Sequence, residues 1–532
     1  MRRVFVLTLT VLLLLPLTAS PTFAHGLGVS YDLPLPLWLY LYGAGATVLV
    51  SFAPISLLGG GRRTGGEAAY RYPRFDLLRI GPLRAVLTSK ALLLGLRLLS
   101  VGLFSLVLLS GFFGRQVPAS NFAPTFVWVV WWVGFGFFVA FVGNLWPLVN
   151  PWKVLFEWTE ALVRRLRLGD GLELRETYPA ALGVWPAVAL YAVFVWVENV
   201  FWGSPTPLYI AVLALNYSVL TWGGMTIYGK EMWLRRGEVF SVFFGLLARF
   251  APTEARVDDP RLCRGCSNGC GAAQGDCVNC YECFDRAAPE DRELNLRPWV
   301  VGLARAESVP PGGVFFVILV LAGVAFDGLM ETPLWSELRR ATSMPQTLGL
   351  VLLPPLFFVA YLSFVKLSQL FGGGKGRLGL ASLAAVYVYS LVPIAIAYQV
   401  AHYYTLLLVQ GQEVVRHLSD PFGWGWDLVG TARYEVQPGL VGAAFVWYSQ
   451  VALIVVGHVL AVYLAHLGAL RLFGDRRKAL RSQLPMLALM VLYTISSLWI
   501  LSQPIIVEEE AVPTENAQPD PTLREPPMPD VG

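Results

Sequence analysis

The chain has 532 residues, of which 55% are hydrophobic and 14% are charged, and its formal net charge is only +4. This composition excludes an ordinary soluble multidomain enzyme and favours a membrane protein with many spanning helices. We therefore expect a lipid bilayer around most of the chain and no nucleic-acid partner.

The N-terminus has the pattern of a secretory signal peptide. A basic start at Arg2 and Arg3 is followed by an apolar run over 4–17 and by small residues that end at Ala24. This pattern predicts cleavage after residue 24, and the alternative is an uncleaved anchor helix. Cleavage makes His25 the mature N-terminus, where its amine and imidazole form a candidate outer site for Cu(II).

Ten further segments are long and apolar enough to cross a bilayer, which requires about 20 residues each. The sequence therefore predicts an all-α, polytopic protein with about ten spans. The predicted spans are 37–58, 91–113, 124–146, 180–202, 207–227, 312–331, 346–369, 380–403, 440–466 and 484–504.

Basic residues in the connections predict the orientation of these spans. If the mature N-terminus is extracytoplasmic, every connection on the cytosolic side carries several Lys or Arg residues, as the positive-inside rule requires. The cytosolic set includes Arg62, Arg63, Lys153, Arg164, Lys230, Arg235, Lys375, Arg377, Arg476 and Arg477. The outer connections are poorer, with Arg115, Arg339, Arg340, Arg416 and Arg433 as exceptions. We expect a protein of the cytoplasmic (inner) membrane with both termini outside the cytoplasm.

The spans group into two sets of five. We predict one transmembrane half over 25–230, a cytosolic cysteine-rich loop over 231–310, a second half over 311–504 and a disordered acidic tail over 505–532. An odd number of spans per half implies that the halves are inverted, as in many secondary transporters. Glycines at Gly43 and Gly45 in span one and at Gly328 in span six predict broken helices at corresponding positions.

Two shorter stretches have helical character. The pattern of residues 151–167 is amphipathic and predicts a helix on the inner membrane surface. Residues 237–252 are too few to cross and too apolar for water, which predicts a surface or re-entrant helix that leads into the cysteine-rich loop.

All six cysteines lie within that loop, with the spacing C-x2-C-x3-C-x6-C-x2-C-x2-C. In the cytosol such thiols stay reduced and indicate a metal site. Two C-x2-C units, Cys263 with Cys266 and Cys277 with Cys280, suit a tetrahedral zinc ion and leave two thiols over. An iron-sulfur cluster and metal-free thiols or a redox switch are the alternatives. The candidate ligands are Cys263, Cys266, Cys270, Cys277, Cys280 and Cys283.

Ionisable side chains inside predicted spans are the second candidate site. A charge at membrane depth costs at least ~2.5 kcal/mol on insertion scales and by default indicates a pathway or a ligand site. Asp327 lies in the middle of an otherwise apolar predicted span. A structural ion pair of Arg97 with Glu198 or Asp327 is the alternative to a functional role. The pathway candidates are Arg97, Glu198, Asp327, Glu331, His402 and His458.

Several stretches of the chain resemble a family of polytopic prokaryotic membrane proteins labelled fenitrothion hydrolase. The stretches are HGLG at 25–28 followed by YDLPLPLWLYL, NLWPLVNPW at 144–152, GEVFSVFFGLLARFAP, CVNCYECF at 277–284, FDGLMETPLW at 326–335, AHYYTLLLVQGQ at 401–412, SDPFGWGWDL at 419–428, GHVLAVYLAH at 457–466 and LSQPI at 501–505. The resemblance implies the same polytopic architecture and, from the label, hydrolysis of an organophosphate ester.

Three functions are compatible with these patterns. The first is a transporter or channel-like protein for an unidentified small molecule or ion, with zinc, or else an iron-sulfur cluster, in the cysteine-rich loop. The second is a membrane-embedded hydrolase, for which the sequence contains neither an H-x-H nor an H-E-x-x-H metal motif and no G-x-S-x-G motif. The third is a metal-sensing or redox-sensing membrane scaffold.

The predicted orientation can be tested by labelling thiols in intact cells with a membrane-impermeant maleimide. Because the cysteine-rich loop is expected in the cytosol, its thiols should react only after permeabilisation. A single cysteine introduced into the tail by Thr514→Cys is the matched positive control, and it should react in intact cells. Efficient labelling of the native cysteines without permeabilisation would reverse the topology.

Overall fold

The structure, a computed structural model, describes residues 36–58, 72–257, 260–263, 266, 278–305, 309–373, 379–473 and 475–503. Within this part of the chain ten helices are long and apolar enough to cross a membrane, which confirms the all-α, polytopic fold. They are α1 (Leu37–Leu58), α2 (Lys90–Phe113), α3 (Phe122–Phe141), α4 (Ala180–Asn199, with its α-helical part over Trp185–Asn199), α5 (Pro207–Tyr228), α6 (Pro311–Met330), α7 (Gln346–Phe371), α8 (Leu380–Ser419), α9 (Ala443–Leu472) and α10 (Arg476–Leu501). The predicted signal peptide, His25 and the acidic tail lie outside the described residues.

Shorter elements connect these spans. The predicted amphipathic helix is present, and it begins at Pro151 because the Asn150 side chain caps the backbone N–H groups of Trp152 and Lys153. The other short helices are Gly81–Leu87, Trp146–Val149, Lys230–Arg236, Val239–Leu247, Tyr281–Arg286 and Pro333–Thr342, and the connecting 3-10 turns include Leu77–Arg79, Pro118–Ser120, Ala180–Leu182, Pro289–Asp291, Val301–Ala304 and Pro438–Leu440.

The predicted helix breaks at the glycines of spans one and six are absent from the described residues. Both α1 and α6 continue unbroken through Gly43, Gly45 and Gly328, because glycine in a packed helix leaves room for a neighbour rather than ending the helix. Gly45, for example, faces the side chains of Val491 and Ile495 on α10. The irregular segments are elsewhere, in a π-helical stretch of α3 over Thr125–Phe135 and in a 3-10 turn of α8 over Tyr389–Leu391.

The predicted surface or re-entrant helix forms a half-helix, Val239–Leu247, that is buried in the bundle rather than on its surface. Its aromatic side chains pack on the π-helical part of α3. The ring of Phe240 lies 4.6 Å from that of Trp131, and the ring of Phe243 lies 4.9 Å from that of Trp132. This aromatic packing buries a segment too short to span a membrane.

A buried carboxylate, Glu238, starts this half-helix. It accepts hydrogen bonds from the backbone N–H groups of Phe240 (3.0 Å) and Ser241 (2.7 Å). It also accepts from the Tyr217 hydroxyl at 2.5 Å and from the Asn150 amide at 3.3 Å. Glu238 therefore neutralises the positive end of the half-helix and ties it to α5 and to the amphipathic helix.

The cysteine-rich segment docks on one face of the bundle through a small antiparallel sheet. The sheet has the order β1 (Phe75–Asp76), β3 (Arg292–Leu296) and β2 (Thr253–Val257), with Thr253 opposite Leu296. Here residues 253–305 are called the cysteine module, and the side of the bundle that carries it is called the module face. Because β1 belongs to the connection between α1 and α2, the sheet joins the module to the first connection of the bundle.

A buried ionic network holds the module in place. The Glu254 carboxylate is 1% exposed and accepts hydrogen bonds of 2.6 Å from Arg256, Arg297 and the Tyr72 hydroxyl. Arg297 donates further to the carbonyl groups of Ala248 and Ala251, at the end of the half-helix. One guanidinium therefore links β3 to the half-helix inside the bundle.

Neutralising Glu254 should release the module. Glu254→Gln preserves the shape but leaves two buried guanidinium groups without a countercharge, which should cost about 3–5 kcal/mol. Arg286→Gln is the matched control, because it breaks an ion pair whose arginine is 49% exposed and should cost at most about 1 kcal/mol. Fluorescence-monitored thermal unfolding of the purified variants measures the difference. Equal melting temperatures for the two would show that the network does not hold the module.

Candidate functional site

The Asp327 carboxylate lies at the centre of a cluster of polar side chains within the bundle. Its Oδ2 atom is 2.8 Å from Nε2 of His402, and the Tyr403 hydroxyl donates to the same oxygen. The side chains of Asp327 and His402 are 18% and 10% exposed. The cluster is thus largely enclosed, yet it remains accessible to water or to a small ion.

The surrounding helices are shaped to bring these groups together. His402 and Tyr403 follow the 3-10 turn of α8, and Gly328 comes directly after Asp327 on α6. A Cβ atom at Gly328 would lie 2.2 Å from the Tyr398 hydroxyl, so only glycine allows this approach. Tyr398 in turn stacks on His402, with ring centroids 6.0 Å apart.

Two more carboxylates lie in the same region. Glu198 on α4 accepts a 2.5 Å hydrogen bond from the indole N–H of Trp132, which belongs to the π-helical stretch of α3. Glu198 is within electrostatic range of Asp327 and His402, and so is Glu331. Four predicted pathway residues therefore form one site.

The position of this site differs from the predicted one. Asp327 lies three residues before the end of α6, not in its middle, and Glu198 lies one residue before the end of α4. Both ends are opposite the module face. α6 is 20 residues long, which is about 30 Å at 1.5 Å per residue. The carboxylates therefore lie near the end of the bundle that is farthest from the cysteine module.

Arg97 does not belong to the site. Its guanidinium lies 3.3 Å from the carboxylate of Glu157 on the amphipathic helix, so Arg97 pairs there and not, as the structural alternative held, with Glu198 or Asp327. Glu157 also attracts Lys153 and Lys230, at 3.9 and 3.7 Å. Arg97 reaches Glu157 because it lies about two turns from the beginning of α2, close to the module face.

The charge of the cluster is unbalanced. Three carboxylates, those of Glu198, Asp327 and Glu331, face one imidazole, so a fully ionised cluster has a net charge of −2 even with His402 protonated. Unbalanced charge is expensive where water is largely excluded. The cluster therefore favours the binding of protons or of a cation, and proton exchange between Asp327 and His402 needs only the hydrogen bond already formed.

The cysteine module brings three sulfur atoms together. The Sγ atoms of Cys266, Cys280 and Cys283 lie within 4.8 Å of one another, close to the ~3.8 Å that two thiolates on one tetrahedral zinc ion have when each Zn–S bond is ~2.3 Å. Cys263 is buried in the same cluster, outside this group of three. Cys270 and Cys277 lie outside the described residues, so the predicted pairing with Cys277 is not described.

The setting of these sulfurs is buried and basic. Arg235, on the short helix Lys230–Arg236, lies within electrostatic range of Cys280 and Cys266. Burial and the neighbouring Arg236 lower the pKa of Arg235, while the two cysteines oppose this shift. A nearby guanidinium stabilises thiolates, which are the form that binds a metal. The donors therefore fit a thiophilic metal ion.

Several residues of the membrane site could not be identified from the sequence. Tyr403, Tyr398 and Trp132 look like ordinary aromatic residues of apolar helices, and only their partners give them a role. The one available signal was that Tyr403 follows His402 directly. Within the described residues, His458 is buried away from Asp327, against Tyr493, so it does not join the carboxylates.

Comparison with known proteins gives no match among family models, curated proteins or solved structures. The resemblance to the fenitrothion hydrolase family therefore stays an expectation.

Metal content tests the cysteine site. Wild-type protein purified without oxygen should contain about one tetrahedrally bound zinc ion per chain, or iron with sulfide if the site holds a cluster. Cys283→Ser should remove the metal, because Cys283 is one of the three close sulfurs. Cys263→Ser and Cys277→Ser then identify the fourth ligand. Mass spectrometry of the metals that finds less than half an equivalent in wild-type protein would eliminate a tightly bound ion.

Proposed function

We propose that this protein is a membrane transporter that couples proton movement to the movement of a small solute, with Asp327 and His402 as the proton-binding pair. The observation that carries the proposal is the hydrogen-bonded pair of Asp327 and His402 among further carboxylates inside a helix bundle. Ionisable groups at membrane depth are typical of proton relays in pumps and transporters.

A cavity on the module face of the bundle, far from the Asp327 site, also supports transport. A cavity of about 520 Å³ lies between the cysteine module and the bundle, and it extends to Tyr389 in the 3-10 turn of α8. The Arg249 guanidinium lies 4.8 Å from the centre of the Tyr389 ring. α8 therefore runs from this cavity to the Asp327 site, and its interruption gives it a place to bend.

The charge of that cavity favours an anionic solute. Its basic side chains outnumber its acidic ones, Glu231 and Glu282. The basic residues of the lining are Lys153, Arg235, Arg249, Arg297 and Arg305. Uptake of a proton together with an anion would also reduce the charge that crosses the membrane.

The coupling step is protonation of the Asp327 pair. When the pair binds a proton, the net negative charge of the cluster falls, and the repulsion between the carboxylate-bearing ends of α4 and α6 falls with it. These helix ends can then approach and close the site. Release of the proton restores the repulsion, so the occupied and empty states favour different helix positions.

We assign the cysteine module a structural zinc ion. A metal would fold a segment that has a small core of its own, and Arg297 would transmit its position to the half-helix. An iron-sulfur cluster or a thiol switch in the same place would instead make the module a sensor of metal or redox state. The module is placed in the cytosol, and both termini outside it, on the basis of the basic connections.

A hydrolase is the second candidate. The Asp327 carboxylate could hold His402 as a general base for a water molecule, which is the chemistry that an organophosphate hydrolase requires. Turnover of fenitrothion by purified wild-type protein, abolished by His402→Gln, would favour it over transport.

Proton flux in proteoliposomes tests the transporter. Vesicles that contain pyranine, with the potential set by potassium and valinomycin, should acidify inside when citrate or inorganic phosphate is added as the probe anion. Asp327→Asn should reduce this rate at least tenfold, because the amide cannot bind and release a proton.

Glu337→Gln is the matched control. It removes an exposed carboxylate on the short helix that follows α6, and its rate should stay within twofold of wild type. Wild-type vesicles that show no anion-dependent acidification, or an Asp327→Asn variant that is fully active, would contradict the proposal.

A further inference from the structure

Among the buried polar atoms that have no hydrogen-bond partner within the part of the chain that the structure describes, four belong to side chains near one another. They are the hydroxyl oxygens of Tyr398, Tyr493 and Ser497 and the Nε2 atom of His458. Each such atom costs about 1–3 kcal/mol if it stays unpaired. Native proteins rarely contain several of them together unless water satisfies them.

These atoms form a series that begins at the Asp327 site. Tyr398 stacks on His402 and lies within electrostatic range of Tyr493. The Tyr493 ring is 5.9 Å from that of His458, and its hydroxyl faces that of Ser497. The series therefore leads from α8 across to α10 and on to α9.

The series also leads toward the module face. His458 is the sixteenth of the 30 residues of α9, so it lies about 22 Å from the beginning of that helix. It is therefore near the middle of the bundle, whereas Asp327 is near one end. The movement of a proton from Asp327 to His458 would cover about half of the membrane.

The hydrogen bond of His458 fixes which ring nitrogen can accept a proton. Its Nδ1 atom lies 2.8 Å from the Ile454 carbonyl oxygen, and a carbonyl can only accept, so Nδ1 carries the hydrogen. In the neutral ring Nε2 then carries a lone pair. This lone pair is the acceptor that has no partner within the described residues, on a ring whose centre lies 5.9 Å from that of Tyr493.

A second histidine repeats this arrangement nearer the module face. His466 lies eight residues further along α9, about 12 Å. Its Nδ1 atom is 3.0 Å from the Gln483 amide oxygen, and its Nε2 atom is also unpaired within the described residues. Buried polar groups that find no protein partner are typically satisfied by ordered water.

We propose that a row of bound water molecules joins Tyr398, Tyr493, Ser497 and His458 and forms a proton route from the Asp327 pair toward His466. The inference rests on the proposed proton-coupled transport. At each step a water molecule or hydroxyl group donates one proton and receives another. His458 takes a proton at Nε2 and returns it from the same nitrogen, so only N–H and O–H bonds form and break.

Conservative substitutions separate this route from a packing role. Tyr398→Phe and Tyr493→Phe remove hydroxyl groups that are not held by a strong protein hydrogen bond within the described residues, so the variants should melt within a few degrees of wild type. Their anion-dependent proton flux should nevertheless fall at least tenfold, and so should that of His458→Leu.

Tyr361→Phe is the matched control. The Tyr361 hydroxyl is equally buried but donates at 2.6 Å to the Ala384 carbonyl, away from the series. This variant should melt at a lower temperature and keep its flux within twofold of wild type. Tyr398→Phe and Tyr493→Phe are thus expected to lower proton flux with little effect on stability, whereas Tyr361→Phe is expected to lower stability with little effect on flux.

A readout that does not depend on transport detects the water. Brief X-ray radiolysis in water labelled with oxygen-18 modifies side chains that lie next to bound water, and mass spectrometry locates the modification. Tyr398 and Tyr493 should be labelled although they are enclosed, and Tyr361 should not.

The outcomes distinguish the route from the transporter. If Asp327→Asn abolishes flux but the tyrosine and His458 variants retain it, the route is wrong and the transporter stands. If Tyr398 and Tyr493 are not labelled, the water row is wrong whatever the flux shows. If wild-type vesicles move no protons, the transporter is wrong, and the proton route is wrong with it.

Discussion

The hydrogen bond between Asp327 and His402 is the interaction on which the membrane site depends. A lone carboxylate or a lone imidazolium inside a helix bundle is unstable, so each requires the other. Their pairing fixes the relative position of α6 and α8, and Gly328 makes that position possible. The neighbouring Glu198 and Glu331 leave the charge unbalanced, which makes the site responsive to protons rather than merely stable.

The cysteine module is connected to the same bundle by buried charge. Arg297 joins Glu254 in the module to the carbonyl end of the half-helix, while Glu238 neutralises the other end of that half-helix. The half-helix in turn packs on the π-helical part of α3, which holds Trp132 against Glu198. A continuous set of contacts therefore runs through the bundle, with the cysteine module at one end and Glu198 at the other.

Hydropathy predicted the ten spans because each must satisfy its own backbone in an apolar setting, and this requirement is visible residue by residue. The membrane site was only partly predictable. Glu198, Asp327, Glu331 and His402 were recognisable as costly charges, but their convergence depends on helix packing that no local pattern records. Arg97 illustrates the limit, since its partner Glu157 lies on a surface helix and not in a span.

The helix irregularities explain why glycine was a misleading signal. Glycine at Gly45 and Gly328 permits close packing and leaves the helix intact, whereas the π-helical stretch of α3 contains bulky aromatic side chains. A π-helical turn widens the helix and changes the direction of its side chains. In α3 this shift lets Trp131 and Trp132 point at the half-helix and at Glu198 at once. In α3 the departure from regular geometry therefore coincides with a run of aromatic side chains and with the contact between Trp132 and Glu198.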